Sequence, residues 1–465
     1  MSRDAAVARA RDYFDSGTFK SDLARRVAIP TESQNPARAG ELTRYIEAEM
    51  KPALEELGFR CRVMRHDKAR GPFLSAERIE DAALPTVLGY GHGDVIRGLE
   101  AGWKKGLSPW ELVEAEGNYW GRGVVDNKGQ HSINIAALGA VLGVRGRLGF
   151  NAKWLIEMGE ETGSSGLREL CAAHRDLFAA DVLIGSDGPR MAADRPTLSL
   201  GCRGAYPIDL VIEAREGGHH SGNWGGLLSN PAVQLAHALA SIAGPTGQVR
   251  IPEWVPARIP DSVRRVLADC EVVSGPGDPT VDPNWGEPGL SAAEKVYGWC
   301  TFEILAMSAG NPENPVNAVP PRASARGQVR YVVGVDPDEI LPALRRHLDR
   351  HGFAMVKIAK ARDEVFRATR VDPDHPWVKW TAASVAQTIG RAPAIIPNSG
   401  GSLPNDIFTE GLGMPTIWVP HSYRGCSQHA PNEHLPTAIA REALGVMAGI
   451  YWDLGEGGTP ARTRE

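Results

Sequence analysis

The segment TVLGYGHGD, at residues 86–94, joins a short apolar run to a polar end. The run at residues 86–90 predicts a buried strand, because it is short, uninterrupted and bounded by turn residues. A histidine and an aspartate follow it, at His92 and Asp94. Open α/β sheets place their binding sites at the carboxyl ends of strands, so this one segment indicates both a fold class and a candidate site.

Two later segments repeat the pattern of an apolar strand that runs into acidic residues. Residues 153–158 lead to Glu160 and Glu161, and residues 182–185 lead to Asp187. Strand ends that share one edge of a sheet lie close together even when they are far apart in sequence. We therefore expect these acidic residues to meet beside the histidine of the first segment.

Helical patterns alternate with these strands, at residues 41–57 and 132–142. This alternation predicts an α/β layer with a largely parallel sheet. Helices and strands of the same kind return late in the chain, at residues 378–388, 394–397, 416–420 and 437–452. The two ends of the chain are therefore expected to form one architecture.

The middle of the chain has a different pattern, which begins near Arg203. Its elements follow the order strand, helix, strand, strand, helix, strand, at residues 206–213, from 231, and at 303–307, 323–333, 337–351 and 354–359. This order describes a compact α+β module. We predict a catalytic α/β domain made of residues 1–202 and 371–465, interrupted by an inserted α+β domain at residues 203–370. A segment rich in Pro, Gly and Trp, at residues 251–285, is expected to be irregular.

Length, composition and charge exclude several classes of protein. The chain has 465 residues, of which 42% are hydrophobic and 23% charged, as in ordinary globular proteins. Its 51 Lys and Arg against 56 Asp and Glu give a net charge of −5, which offers no bulk attraction to nucleic acid or anionic lipid. Residues 1–19 lack the apolar core of a signal peptide, and no apolar stretch is long enough to span a bilayer. We predict a cytoplasmic protein without a nucleic-acid or membrane partner.

The cysteines predict no disulfide framework. They are scattered, without CxxC spacing, at Cys61, Cys171, Cys202, Cys270, Cys300 and Cys426. A chain of this length can be stable without disulfides, so we expect reduced structural thiols. A zinc or redox role for cysteine is the alternative.

The polar side chains that follow the strands are typical ligands of a divalent metal. Histidine and carboxylates without a thiolate pair suit Zn²⁺, Mn²⁺ or Co²⁺. Two metals at about 3.5–4 Å need a carboxylate that bridges them. Asp126, in GRGVVDNKG at residues 121–129, is a candidate, since the glycines around it permit close approach of the backbone.

Each of these features has a plainer interpretation when taken alone. A His-x-Asp pair occurs by chance, adjacent glutamates often end a strand in solvent, and an aspartate among glycines is a common turn. The segment GYGHG at residues 89–93 is partly similar to a dinucleotide-binding loop, but it lacks the GxGxxG spacing and a following helix. The twelve Trp residues are expected in the core or in interfaces.

The joint order of the motifs resembles one known family. These motifs are His92 with Asp94, GRGxxDxKG, the pair Glu160 and Glu161, Asp187, and the late His429 in HAPNE. They are similar to the five metal-site motifs of the dinuclear zinc family that includes carnosinase-type dipeptidases, peptidase V, acetylornithine deacetylase, succinyl-diaminopimelate desuccinylase and carboxypeptidase G. The resemblance covers nearly the whole chain. It implies a zinc-exopeptidase-type mixed sheet flanked by helices and interrupted by an inserted α+β lid and dimerisation domain.

The resemblance also implies a role for each residue of the motifs. The ligands of two divalent metal ions, Zn or else Mn or Co, would be His92, Asp126, Glu161, Asp187 and His429. Asp126 would bridge the two ions. Asp94 would hold the first histidine in the correct tautomer. Glu160, beside a ligand, would be the general base.

The inserted domain carries further motifs that resemble those of the family. His220 lies in HSGNWGG, where the family's histidine reaches across a homodimer to polarise the scissile carbonyl. Asn317 falls where the family has an Asn or Thr beside the same oxyanion, and Arg330 matches an arginine of the family that binds the substrate carboxylate. Gly401 and Ser402, in GGSLP, match a loop that contacts the substrate backbone. The resemblance therefore implies a homodimer formed through the inserted domain.

Together these inferences predict a metal-dependent hydrolase of a dipeptide or dipeptide-like amide. Within the family, Asp at the position of Asp187 accompanies aminopeptidases and dipeptidases, whereas Glu accompanies carboxypeptidases and deacylases. The expected reaction is attack on the amide carbonyl by a metal-bridging water that Glu160 activates. The alternative is an amidohydrolase that removes an acyl group from an N-acyl amino acid or related metabolite. A remote alternative is a non-catalytic binding protein on the same scaffold.

Overall fold

The computed structural model of the protein describes residues 1–272, 279–362 and 366–460. Short parts of the predicted inserted domain, of its irregular segment and of the final stretch of the catalytic domain therefore lie outside the described residues. The α-helices of the described chain are α1 (Arg3–Asp15), α2 (Thr18–Val27), α3 (Ala39–Tyr45), α4 (Lys51–Glu56), α5 (Lys128–Arg145), α6 (Leu167–Ala173), α7 (Arg175–Phe178), α8 (Ser221–Trp224), α9 (Pro231–Ile242), α10 (Asp261–Leu267), α11 (Ile340–Arg350), α12 (Pro376–Ile389) and α13 (Thr437–Glu456).

The strands form one large sheet, one four-stranded sheet and several short ladders. They are β1 (Arg60–Met64), β2 (Phe73–Arg78), β3 (Thr86–His92), β4 (Val113–Ala115), β5 (Asn118–Trp120), β6 (Asn151–Glu157), β7 (Val182–Gly185), β8 (Pro189–Arg190), β9 (Thr197–Ser199), β10 (Gly201–Cys202), β11 (Gly204–Glu213), β12 (His219–His220), β13 (Thr301–Ala309), β14 (Ala318–Val319), β15 (Arg322–Tyr331), β16 (Lys357–Lys360), β17 (Thr369–Arg370), β18 (Ala394–Ile396), β19 (Thr416–Trp418), β20 (Ser422–Tyr423) and β21 (His434–Pro436).

The large sheet has eight strands in the order β1-β2-β6-β3-β7-β19-β9-β18. The four strands at its centre, β6, β3, β7 and β19, run parallel to one another. Antiparallel pairs occur between β1 and β2, between β2 and β6, and between β19 and β9. The mixed sheet implied by the family resemblance is confirmed, and the largely parallel sheet expected from the alternation holds for its centre.

Alternate residues of the central strands face two separate layers. Trp154 and Ile156 of β6 join a core formed with α1, α5 and α13, whereas Leu155 joins a core on the opposite face with α6. This is why the strands read as continuous apolar runs: both faces of the sheet are covered by helices. Helix α5 ends at Gly146, whose φ of 76° is a left-handed conformation that glycine adopts readily.

The second sheet lies in the middle of the chain, in the order β13-β15-β11-β16. Helices α9 and α11 pack on one face of it and bury an apolar cluster of their own. The chain enters this region just after β10 and leaves it just after β17, and these two strands pair with each other. The division into domains at residues 202/203 and 370/371 stays a prediction, and it agrees in position with this ladder.

Some predicted elements differ from the observed ones. The helix expected at residues 41–57 contains a π-helical turn, Ile46–Met50, between α3 and α4. The strand expected at residues 354–359 starts later, as β16, and the irregular segment at 251–285 contains α10. Local patterns place such boundaries poorly because packing against neighbours decides where an element begins and ends.

Candidate metal centre

The central strands carry the predicted ligands to one edge of the sheet. His92 is the last residue of β3, Glu161 lies shortly after β6, and Asp187 is two residues after β7. Asp126 lies two residues before α5, and His429 lies in the loop that precedes β21. The expected convergence at the carboxyl ends of parallel strands is therefore observed.

The first candidate ligand group consists of His92, Asp126 and Asp187. His92 Nε2 lies 3.1 Å from Asp126 Oδ1 and 3.5 Å from Asp187 Oδ2. His92 Nε2 and Asp187 Oδ2 are buried and have no hydrogen-bond partner of normal geometry among the described residues. Buried polar atoms without partners are costly, so this pair of atoms fits a cation that both would bind.

The second group consists of Asp126, Glu161 and His429. His429 Nε2 lies 3.0 Å from Asp126 Oδ2 and 3.0 Å from Glu161 Oε2. The two groups therefore share Asp126, which directs one carboxylate oxygen to each of them. The His429 side chain is 59% exposed, so the centre is open to solvent on that side.

The centre concentrates negative charge in a buried place. Burial raises the pKa of Glu161 to about 7 and the pKa of Asp187 to about 6. Burial also acts on Asp126, but the imidazoles of His429 and His92 outweigh it and lower the pKa of that carboxyl group. Divalent cations suit such a set, because they stabilise every carboxylate in its charged form and displace the protons.

The two histidines of the centre, His92 and His429, have raised pKa values. Burial disfavours the charged form of His92, but the adjacent carboxylates of Asp126 and Asp94 outweigh it and raise the pKa of this imidazole well above the ordinary value. Asp126 and Glu161 likewise raise the pKa of His429. The residues thus fit two divalent cations by donor type, by shared geometry and by charge.

Glu160 and Asp94 adjoin the ligands without belonging to either group. Burial, with the charges of neighbouring carboxylates, raises the pKa of Glu160 well above its ordinary value, as suits a group that exchanges a proton. Asp94 Oδ1 accepts from the backbone N–H of Glu160 at 3.1 Å, and Oδ2 accepts from that of Glu161 at 3.2 Å. His92 Nδ1 lies 3.0 Å from the Asp94 carbonyl oxygen and 3.5 Å from its carboxylate. Asp94 therefore orients both the histidine and the glutamate pair.

Sequence reasoning missed the residue that ties the Asp126 loop to the His429 loop. Glu433 is fully buried and forms an ion pair with Arg122 at 2.8 Å. Its carboxylate also accepts from the backbone N–H groups of Gly123, Val125 and Asp126, at 3.0, 3.0 and 3.2 Å. The signal was present, since this glutamate ends the HAPNE motif, but only the fold shows that the two motifs meet.

A buried polar network behind Asp187 was also missed. Ser186 Oγ lies 2.9 Å from His421 Nε2 and donates to Asn134 Oδ1 at 3.1 Å. Asn127 Nδ2 donates to the Ser186 carbonyl at 2.8 Å, which links the Asp126 and Asp187 loops. Burial lowers the pKa of His421 well below its ordinary value, so this imidazole is neutral and acts as a structural hydrogen-bonding group.

The structure brings His220 and Asn317 together, but away from the metal centre. The β12–β14 ladder pairs His220 with Ala318, and the Asn317 carbonyl accepts from the backbone N–H of Ser221 at 2.9 Å. Both side chains are exposed. Within the described ranges no hydrogen bond or ion pair joins either residue to the candidate ligands.

Arg330 and the 400–402 loop form a third assembly. Arg330 Nη1 donates to Ser402 Oγ at 3.1 Å, and that hydroxyl donates to the Arg203 carbonyl at 2.9 Å. Burial lowers the pKa of Arg330. Because the ordinary pKa of an arginine lies far above neutral pH, the guanidinium stays charged. Gly401 is exposed and has open space around its Cα, which leaves room for a substrate backbone.

Two expectations about the rest of the chain can be compared with the structure. All six cysteines are unpaired, and neither candidate ligand group contains one. Among the described residues, no helix is both long enough and apolar enough to cross a membrane.

Comparison with known sequences identifies relatives. The profile of peptidase family M20/M25/M40 matches residues 88–453. The chain is 28% identical to the cysteinylglycine-S-conjugate dipeptidase of Corynebacterium striatum over 366 residues, which cover 76% of each protein. It is 34% identical to the Beta-Ala-His dipeptidase of Mus musculus over 184 residues, 39% of this chain and 37% of the mouse protein.

Comparison with solved structures supports the fold. Human carnosine dipeptidase 1 superposes with a TM-score of 0.76 at 22% identity, over 97% of this chain and 99% of that one. The dipeptidase Dug1p of Saccharomyces cerevisiae superposes with a TM-score of 0.76 at 20% identity, over 98% of this chain and 100% of that one. The architecture is therefore shared along nearly the whole length.

Proposed function

Because the chain belongs to peptidase family M20/M25/M40, we propose that it is a metal-dependent dipeptidase that hydrolyses the amide bond of a dipeptide or a dipeptide-like substrate. The observation that carries this proposal is the pair of ligand groups that share Asp126. The similarity to a bacterial dipeptidase, over 76% of each protein, supports the substrate class.

The proposed cofactor is a pair of divalent ions, Zn²⁺ in the first place. His92 and Asp187 would hold one ion, Glu161 and His429 would hold the other, and Asp126 would contribute to both sites. A set of two imidazoles and three carboxylates, without thiolates, matches zinc and also admits Mn²⁺ or Co²⁺. Elemental analysis of the purified protein should find two equivalents of metal per chain, and a single equivalent would contradict the bridging role of Asp126.

Two divalent ions bound there would supply Lewis acidity to the attacking water and to the scissile carbonyl. Glu160 accepts the proton of the attacking water and returns it to the leaving amine. Asp94 keeps the backbone of Glu160 in place through its hydrogen bond to that N–H group. Arg330 binds the substrate carboxylate, and Gly401 with Ser402 contacts the substrate backbone. His220 and Asn317 stabilise the oxyanion from the inserted domain.

A homodimer formed through β13 is part of the proposal. This strand is an edge of its sheet, and it exposes Ile304, Leu305 and Met307 by 48, 57 and 48%. An apolar edge strand in contact with water favours association, and a second copy of the chain would cover it. The same partner would supply the oxyanion-binding histidine to the metal centre. Light scattering should return twice the mass of one chain, and a monomer would contradict this part.

A cytoplasmic location is also proposed. It is supported by the six free thiols, since reducing compartments keep cysteines unpaired. Fractionation of the native cells should recover the protein in the cytosolic fraction, and recovery outside it would contradict the proposal.

The decisive experiment measures amine release, with Zn²⁺, Mn²⁺ or Co²⁺ supplied, from free dipeptides and from their N-acetylated and C-amidated counterparts. We expect cleavage of free dipeptides, with loss of activity on C-amidation because Arg330 then lacks its carboxylate. Preference for the N-acetylated members would instead establish a deacylase of N-acyl amino acids. No cleavage of any member by protein that holds two metals would contradict both enzymes.

A further inference from the structure

Two arginines face the 398–402 loop without a carboxylate partner. Arg203 Nη2 lies 3.4 Å from the Gly400 carbonyl, and its Nε is buried with no hydrogen-bond partner among the described residues. Among the described residues, the Arg330 side chain donates only to Ser402 Oγ. Within the described ranges neither guanidinium forms an ion pair.

The two guanidinium groups lie close enough for their charges to interact. Ala205 pairs with Arg330 in the β11–β15 ladder, and Arg203 lies two residues before Ala205, directly before the start of β11. Burial, and then the charge of Arg330, lowers the pKa of Arg203 to about 10. Two like charges are thus held close together in a half-buried place, which is unfavourable unless an anion joins them.

A third arginine contacts a turn that packs against the same loop. Arg424 donates to the Tyr297 hydroxyl at 2.5 Å, and Tyr297 belongs to the π-helical turn Glu294–Gly298. The neighbouring Val296 lies against Gly400. The charge of Glu303, on β13, acts on Arg203, but the two residues form no ion pair in the described chain.

A neighbouring arginine on the same face shows the ordinary arrangement. Arg326, four residues before Arg330, forms two hydrogen bonds with Asp209, at 2.7 and 2.9 Å. On the outer face of this sheet, Arg326 is thus paired with an acid. Near the 398–402 loop, Arg203 and Arg330 form no ion pair with any described residue.

We propose that Arg203 and Arg330 together bind two carboxylates on the leaving half of the substrate, so that the enzyme prefers amides whose carboxyl-terminal residue is Asp or Glu. This inference rests on the proposed function and narrows it. Arg330 binds the α-carboxylate, and Arg203 binds the side-chain carboxylate of the same residue. A planar guanidinium suits either group, and two separate forks suit a dicarboxylate better than a single carboxylate.

The test compares Ala-Glu, Ala-Gln and Ala-Ala as substrates of the metal-loaded enzyme. The native protein should cleave Ala-Glu at least about tenfold more efficiently, in kcat/KM, than Ala-Gln. The Arg203→Gln variant should lose this preference, because its kcat/KM should fall about ten- to a hundredfold for Ala-Glu and by a much smaller factor for Ala-Ala. Arg326→Gln is the matched control and should leave all three rates unchanged.

The variant should fold, because the contacts that anchor residue 203 are made by its backbone: its N–H donates to the Ser399 carbonyl, and its carbonyl accepts from Ser402. An equal fall for all three dipeptides would overturn the inference and give Arg203 a role in binding the α-carboxylate. An unchanged rate on Ala-Glu would overturn it as well. Cleavage of Ala-Ala with no preference for Ala-Glu would leave the dipeptidase standing and refute only the acidic specificity.

Discussion

The metal centre and the His220 arm, defined as β12, α8 and β14 with Asn317, are built in opposite ways. In the metal centre, every candidate ligand except His429 has a largely buried side chain, and the loop that carries Asp126 is fixed by the hydrogen bonds that Glu433 accepts. In the arm, His220 and Asn317 are exposed, and their positions depend on a two-residue ladder.

This difference separates two kinds of functional residue. The candidate metal site is complete within one chain, so damage to it should change metal binding and stability together with activity. The side chains of His220 and Asn317 in the arm are exposed and do not belong to a buried core. Changes there should affect turnover alone, and through a second subunit.

The largest effect is expected for Glu160→Gln. The substitution removes the base but keeps the shape of the side chain, so turnover should fall by about a thousandfold or more while metal content stays near the native value. Steady-state kinetics with elemental analysis on the same sample checks both parts. Glu169→Gln, an exposed change on α6, is the control and should behave as the native protein. Surviving turnover would show that another group is the base.

Glu433→Gln tests how far the centre depends on its supporting carboxylate. The buried Arg122 would lose its counter-charge, so the free energy of unfolding should fall by about 3–5 kcal/mol, with a loss of metal affinity. Denaturant titration of the metal-loaded and metal-free protein measures both. Asp15→Asn, in a surface pair with Arg441, should change neither. Native stability in the Glu433 variant would mean that the two loops do not depend on each other.

His220→Ala tests the arm. Because the side chain is exposed, its removal should leave the midpoint of thermal unfolding unchanged. The kcat of the variant should fall by about a hundredfold. Mixing this variant with an equal amount of Glu160→Gln subunits, under conditions that exchange subunits, should then restore about one quarter of native activity, since about half of the dimers are mixed and one of the two sites in each mixed dimer is intact. If no activity returns on mixing, His220 does not act across subunits.

Asp94→Asn tests the orientation of the first ligand. The amide keeps one acceptor oxygen but cannot accept from both backbone N–H groups, so metal affinity should fall by about ten- to a hundredfold. Competition with a fluorescent chelator provides the dissociation constants. Asp209→Asn, on the outer face of the second sheet, is a matched change that should leave metal affinity unaltered.

The smallest expected effect is a change in metal affinity with pH. Burial raises the pKa of Glu161 to about 7 and that of Asp187 to about 6, so without metal both groups take up protons as the pH falls through this range. Those protons compete with the cations. Affinity should therefore fall by at least about tenfold between pH 8 and pH 6. Titration calorimetry in two buffers should also detect protons released on binding, and an affinity independent of pH would contradict the assigned ligands.

The amino-acid sequence alone was sufficient for the central strands and the residues at their ends. Apolar runs bounded by turn residues predict β3, β6 and β7 because burial on both faces imposes a local composition. The ends of parallel strands meet at one edge, so His92, Glu161 and Asp187 could be grouped before any contact was known. The late His429 was placed with them only by the resemblance of its motif.

The tertiary structure alone decided the contacts between segments that are distant in sequence. No local pattern reports that Glu433 binds the Asp126 loop, that His421 lies against Ser186, or that Arg203 lies beside Arg330 without an acid. A carboxylate or a guanidinium looks the same in sequence whether it is paired or unpaired, since its partner is set by strand order and register. The sequence determined which chemical groups the protein has at the ends of its strands, and the fold determined which of them are satisfied by one another and which are left to bind a metal or a substrate.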